Sequence, residues 1–185
     1  LEILKKKKNG KFIILQGNRN FDYQDIEFRE LNGFGLSQKA NNQVLTKEEL
    51  DNIVTKNNEL NDETKDDLIL ATITLKYTPS NSITISHNGI VLGVGAGQQN
   101  RVDCIKLAGG KADMWRLRRH PKVISLFSKF KKGVKRPDRT NAITKYINGD
   151  FSESELMNWK NLFEDNNISM LSKEEKENYL MYDLN

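Results

Sequence analysis

Sulfur and imidazole are scarce in this sequence. Cys104 is its one cysteine, and His87 and His120 are its two histidines. A single thiol rules out an internal disulfide and fits a reducing compartment, so the cytoplasm is the expected location. One Cys and two His leave too few ligands for zinc sites of the usual Cys/His kind. No apolar run approaches the roughly 18–20 residues that a membrane span needs. The amino terminus, LEILKKKK, has neither the order of a secretion signal nor an initiator Met. It reads as the end of an amphipathic helix cut mid-chain, so a piece of a longer protein is expected. There is no internal repeat.

What the chain does carry is charge, unevenly spread. It has 185 residues, 37% hydrophobic and 29% charged, enough for one domain or a domain with a small appendage. Net charge is +4, yet Arg101 to Arg139 holds thirteen Lys/Arg against three Asp/Glu. That asymmetry points to an anionic partner for one segment. A solvated basic face explains it equally well.

Periodicity and breakers predict the elements. Lys11–Gln16 (KFIILQ) reads as a short buried strand after the Asn9-Gly10 turn. Residues 27–42 fit either a strand pair or an extended loop. Thr46-Lys-Glu-Glu49 is a capping box, with Leu50, Ile53 and Val54 as the stripe of the helix it would open. A second helix is expected from about Asp62, with Leu68, Ile69, Ala71, Thr72 and Leu75 on one face, ending before Pro79. Ile83 and Ile85 alternate with Thr84 and Ser86 as a half-buried strand, and Asn88-Gly89 asks for a type I′ turn into Ile90–Val94. Gln98 to about Arg119 reads as helix, with Gly109-Gly110 as its weak point. His120 is placed to cap the C-terminal end of that helix. Residues 127–139 read as a basic loop. Thr140–Asn148 is a short helix closed by Gly149, and Ser152-x-x-Glu155 and Ser172-x-x-Glu175 open two more. The pattern is α/β, a three-layer sandwich with a mixed sheet and a helical C-terminal extension.

The chemistry concentrates where the strand ending GVGAG runs into QQNR. Glycines let a ligand approach the backbone, and the following helix presents unpaired N–H groups and a positive dipole end. Gln98, Gln99 and Asn100 offer amide donors and acceptors, and Arg101 a planar fork of donors. Gly95, Gly97, Gln98 and Gln99 thus form a candidate ligand turn. No Gly-Lys-Ser/Thr follows, so it is not a phosphate-binding P-loop. The spacing of Gly93, Gly95 and Gly97 matches only part of a dinucleotide fingerprint. A tight turn without a ligand fits the spacing as well. Neither His has a nucleophile or carboxylate partner in sequence, so no catalytic triad can be argued.

Beyond spacing, the run from Ala71 to Pro121 resembles one family, AICAR transformylase/IMP cyclohydrolase, in the transformylase region of its eukaryotic-type form. The shared blocks are KYT-x-SNS, NG, G-x-GAGQQ-x-R, KLAG-x-KA and LR-x-HP. GVKRPDRTNAI lies downstream, with LKKKKNGKF-x-ILQ and LSQK-x-NN upstream. The resemblance covers about residues 1–149. It implies a cytidine-deaminase-like α/β/α sandwich without that fold's zinc, with residues 1–126 in the transformylase domain and 127–185 a basic loop and helical extension. It implies formyl transfer from 10-formyltetrahydrofolate to the 5-amino group of aminoimidazole carboxamide ribotide. Asn81 and Arg101 would contact the nucleotide, Val102 would lie beside the folate, and a potassium ion would sit near Leu75, Thr78 and Ser82. It further implies a homodimer. No membrane partner is expected, for want of a long apolar run, and the basic loop with only Phe127 and Phe130 beside it is weak support for a nucleic-acid partner. The family's catalytic Lys-His pair has no counterpart, since no Lys-His dipeptide occurs here. The chain departs from the family at Pro79, Gly110 and Met114-Trp115-Arg116. The competing reading is a non-catalytic binding or assembly module of the same fold, with a basic nucleic-acid-binding face.

Overall fold

The computed structural model describes residues 1–22, 24–165 and 167–181. The chain separates into two compact units, Leu1–Val44 and Leu45–Asn185.

In the first unit a single helical turn, α1 (Glu2–Lys5), leads into a 3-10 turn, Lys7–Gly10. The strand expected at Lys11–Gln16 does not form. Ile13 and Leu15 are 82% and 91% exposed, and among the described residues the segment has no strand partner to take up its backbone groups. Residues 27–42, open in the sequence, resolve as a hairpin. β1 (Ile26–Leu31) pairs antiparallel with β2 (Phe34–Lys39), from Ile26 opposite Lys39 to Leu31 opposite Phe34. Asn32 and Gly33 make the turn with φ of 51° and 83°.

In the second unit the helix expected at Thr46 shrinks to a 3-10 turn, Glu48–Leu50. Thr46 N–H does donate to Glu49 Oε2 at 2.9 Å. Thr46 also holds the Glu48 carboxyl below the usual range, and the turn's own N-cap, Lys47, makes no side-chain cap bond. Of the expected stripe Leu50 and Ile53 are half-buried and Val54 is 86% exposed, too little cover to hold a longer helix.

α2 (Asp62–Lys76) forms as expected. Asn61 Oδ1 caps it, accepting from Thr64 N–H at 2.8 Å. Of its expected face Ile69, Ala71 and Leu75 are half-buried, joined by Leu70 and Thr74 and the buried Asp67, while Leu68 and Thr72 are exposed. Asp67 Oδ2 and Oδ1 accept the N–H groups of Asn88 and Gly89, each at 2.8 Å. Those two residues are the turn between β3 (Ile83–His87) and β4 (Ile90–Gly95), with φ of 52° and 70°. α2 packs on β3, and α3 (Arg101–Leu117) packs on both strands. Gly109-Gly110 passes inside α3 without a break.

His120 caps the start of a helix, not the end of one. Its Nδ1 accepts Lys122 N–H at 3.1 Å and opens α4 (Pro121–Leu126). Residues 127–139 are only in part a loop. Phe130 is buried and bridges to Phe163, and α5 (Arg136–Asn148) begins inside the segment. Gly149 closes α5 at φ 77°. α6 (Glu153–Lys160) carries the expected Ser152/Glu155 box. α7 (Lys173–Met181) carries the Ser172/Glu175 one, with Ser172 N–H donating to Glu175 Oε2 at 2.9 Å and Glu175 N–H to Ser172 Oγ at 3.1 Å.

One aromatic-rich core joins the helices, from Leu117 and Val123 through Tyr146, Trp159 and Phe163 to Leu171. It runs across Leu126, so residues on both sides of that position share it. The chain is therefore mixed α/β. Its strands form two separate antiparallel pairs among the described residues. A mixed three-layer sheet requires further strands.

Candidate functional site

The site is built where β4 runs out under α3. The reason for its glycines lies in the helix. A Cβ on Gly93 would stand 2.1 Å from Ala108 O, and one on Gly95 would stand 2.1 Å from Cys104 O. Both distances are far inside van der Waals contact with rigid backbone. Gly93 and Gly95 thus let α3 lie directly on the strand, which corrects the expectation that Gly95 brings backbone to a ligand. Gly97 has the other role: its φ is +65° and nothing stands within 4 Å of its missing Cβ. It turns the chain in open space, and its N–H donates to Pro79 O at 3.4 Å.

Asn81 closes the turn from the opposite side. Its Nδ2 donates to Gln98 O at 3.2 Å and to Gln99 O at 3.4 Å. Its own carbonyl accepts from the buried Cys104 thiol at 3.0 Å. The Ser80–Asn81 peptide bond is cis. Gln98 Nε2 folds back onto Ala96 O at 3.0 Å. Asn100 is the helix cap, with Oδ1 accepting Asp103 N–H at 2.8 Å and Nδ2 donating to Asp103 Oδ2 at 2.6 Å.

The first helical residue, Arg101, is exposed, and among the described residues its guanidinium has no hydrogen-bond or ion-pair partner. Val102 beside it is 58% exposed. Asn81, Gln98, Gln99, Arg101 and Val102 therefore converge at one helix N-terminus. Gly95 lies beneath them. The arrangement offers a cation, the positive end of a helix and amide groups to an anionic ligand with polar ring substituents.

Sequence reasoning missed Asp67, and it read Asn100 as a ligand amide. The Asn-x-x-Asp spacing at 100–103 is the signal that marks Asn100 as a cap. Asp67 had no such signal, because its partners lie 21 and 22 residues away.

His87 is exposed at the far end of the hairpin. His120 packs edge-on against Tyr179, ring centroids 4.8 Å apart, and its burial lowers its pKa. The oxygens near Leu75, Thr78 and Ser82 fit a cation only in part. They lie at the negative end of α2, but Leu75 O already accepts the N–H groups of Tyr77 and Thr78. The Thr78 hydroxyl donates to Thr74 O at 2.6 Å. The described residues include no cluster of three or more His, Cys, Asp or Glu able to hold a metal, and no helix long and apolar enough to cross a membrane.

The sequence pattern of the AICARFT/IMPCHase bienzyme family matches residues 1–111. The chain belongs to that family. Relatives named bifunctional purine biosynthesis protein PurH align with the same part. The Bartonella tribocorum protein is 36% identical over 111 residues, 60% of this chain and 20% of its own length. The Clostridium beijerinckii protein is 35% identical over 102 residues, 55% and 19%. The Staphylococcus aureus protein is 36% identical over 108 residues, 58% and 21%. The chain thus spans about a fifth of the length of these relatives. The match to the AICARFT/IMPCHase family takes in Asn81 and the whole turn to Val102. The aromatic core from Leu117 onward lies outside it.

Proposed function

We propose that this chain carries part of the site of a folate-dependent formyltransferase of purine synthesis. In this reading the formyl group passes from 10-formyltetrahydrofolate to the 5-amino group of aminoimidazole carboxamide ribotide. Family membership and the turn from Gly97 to Val102 support it. The observation that carries the reading is Arg101: an unpaired guanidinium at a helix start, beside an amide clamp.

The amide geometry gives the residues distinct roles. Asn81 spends its Nδ2 on the carbonyls of Gln98 and Gln99, which leaves Oδ1 to accept a hydrogen bond from the substrate's carboxamide or amine. Arg101 meets the nucleotide's negative charge, and Val102 offers an apolar contact to the folate. The acceptor amine is conjugated with the carboxamide and is a poor nucleophile, so its orientation governs the rate. The group that takes its proton lies outside this chain in this reading, as no Lys-His pair occurs here. The whole enzyme would take the cytidine-deaminase-like sandwich, to which residues 1–126 contribute, and would act as a homodimer. Potassium has weaker support, because Leu75 O is already engaged.

The test is calorimetric titration with the ribotide. Arg101→Ala is expected to weaken binding about tenfold, the worth of a charge-assisted bond. Lys132→Ala, outside the turn, is expected to leave it unchanged. Equal losses would sink the assignment.

A further inference from the structure

Charge is one-sided in the helices just beyond Leu117. From Arg118 to Arg139 the chain holds nine Lys/Arg and one Asp/Glu, Asp138. Among the described residues only Lys122 of the nine reaches a carboxylate, that of Glu175. Arg119 and Arg139 bond instead to the carbonyls of Trp115 and Val134, at 2.6 and 2.9 Å. Lys131, Lys132, Lys135 and Arg136 are exposed, and their side chains have no partner among the described residues. An uncompensated field of one sign attracts a polyanion.

α5 gives this surplus an order. Arg136, Thr140 and Thr144 follow at i, i+4 spacing and so share one face. Asp138, two residues on from Arg136, does not share it. At the far end Arg118 Nη2 donates to Thr144 Oγ1 at 3.1 Å. Two guanidiniums therefore bracket the face, whose Arg136 and Thr144 lie about 12 Å apart along the axis. Both threonine protons are spent inside the helix. Thr144 Oγ1 donates to Thr140 O at 3.0 Å, and Thr140 Oγ1 to Arg136 O at 3.1 Å. Thr140 is exposed, so its hydroxyl oxygen faces a ligand as an acceptor.

A phosphate or a carboxylate brings no proton and gains nothing at that oxygen. A ribose 2′-hydroxyl can donate to it. The order cation, acceptor, cation thus matches phosphate, 2′-hydroxyl, phosphate along a ribonucleotide strand. We propose that this face of α5 binds single-stranded RNA. Arg136 and Arg118 take phosphates, and Thr140 Oγ1 accepts from a 2′-hydroxyl between them. Lys131, Lys132 and Lys135 extend the track before the helix. The ring of Phe127, 54% exposed at the end of α4, stacks on an unpaired base, which a duplex does not offer. A lipid surface fits less well. Ile124 and Phe127 are the only large apolar side chains exposed between Arg118 and Thr144, too little area to hold a bilayer. The face also lies outside residues 1–111, the part that matches the family.

The test is fluorescence anisotropy of the 185-residue chain with labelled dodecauridylate, dodecadeoxyuridylate and poly-L-glutamate across a salt series. The ribonucleotide is expected to bind in the micromolar range at low salt. The slope of log affinity against log salt should be about −3.5, five phosphates at about 0.7 each. It should bind about threefold tighter than its deoxy counterpart, the worth of one neutral hydrogen bond. Thr140→Val should erase that preference and leave the slope alone. Arg136→Gln should flatten the slope by about 0.7 for both strands, with circular dichroism confirming the fold of each variant. Equal affinity of the native chain for the two strands, a preference that survives Thr140→Val, a slope that ignores Arg136→Gln, or no saturation with either strand overturns the proposal. Tighter binding of poly-L-glutamate than of the ribonucleotide makes the face a surface for acidic protein and overturns it too. The ribotide titration turns on Arg101 and this one on Arg136, so either reading can fail alone.

Discussion

The two hairpins of this chain share a turn and differ in almost everything else. Each is closed by Asn-Gly, with φ of 51° and 83° in the first and 52° and 70° in the second. The first exposes every residue of both strands, Phe28, Phe34 and Leu36 among them. The second lies under α2 and α3, and an α2 carboxylate holds its turn. The Asn-Gly pair sets register in both. Cover comes from elsewhere: two strand glycines and one aspartate let helices seat on the second hairpin.

The largest effect that would sharpen this contrast is expected at Gly95. Gly95→Ala forces a methyl into Cys104 O and is expected to cost about 3 kcal/mol in chemical denaturation. Gly35→Ala, in the first hairpin, meets only the Phe28 ring at 3.0 Å. That exposed ring can swing away, so the change stays within about 0.5 kcal/mol. Similar losses at the two glycines would break the comparison.

Asp67→Ala comes next. It leaves the N–H groups of Asn88 and Gly89 without their acceptor and is expected to cost about 2 kcal/mol. Amide exchange should speed at residues 86–90 and stay unchanged at residues 30–35.

Acid provides a gentler perturbation. His120 caps α4 just past α3, and burial lowers its pKa from 6.5. A neutral ring in the native state means that stability is full above pH 6.5. It falls as the pH drops from 6.5 toward the lowered native value, because the unfolded chain binds the proton first. Thermal melts from pH 8 to 5 should show this loss. His120→Asn, which caps without titrating, should flatten it. Glu155, lowered to about 2 chiefly by the Ser152 N–H, and Glu175, lowered to about 2 chiefly by Lys122, act in a separate window. Their contribution is present above pH 4.5 and lost between 4.5 and about 2. The smallest effect is expected from Phe28→Ser, within about 0.5 kcal/mol, since the ring is exposed.

Legibility in the sequence followed the range of the forces involved. The Asn88-Gly89 turn, the Ser152 and Ser172 boxes and the Gly149 stop depend on residues at most four apart, and all could be read directly. KFIILQ and the Thr46 box looked equally good locally, yet Ile13 and Leu15 stay exposed and only Leu50 and Ile53 of the second stripe are half-buried. Phe130 sat in a run of lysines that read as loop, and only its stacking on Phe163, centroids 4.5 Å apart, shows it to be core. Arg101 could be read from its place after the glycine turn, whereas Asn81 and Val102 entered through family resemblance; Asn81 bonds to the carbonyls of Gln98 and Gln99 just before Arg101. The double duty of the glycines was not legible, because Gly95 under a helix and Gly97 in a free turn look alike in one dimension.

The one thiol of the chain is also a clock. Cys104 is fully enclosed, and its sulfur bonds to Asn81 O, so a thiol-reactive dye reaches it only when the helix lifts from the strand. The labelling half-time at several dye concentrations then separates how often that seam opens from how fast it recloses. A nucleotide resting on Arg101 and Asn81, as proposed, would slow labelling in proportion to its occupancy, giving a stopwatch for binding that requires no turnover.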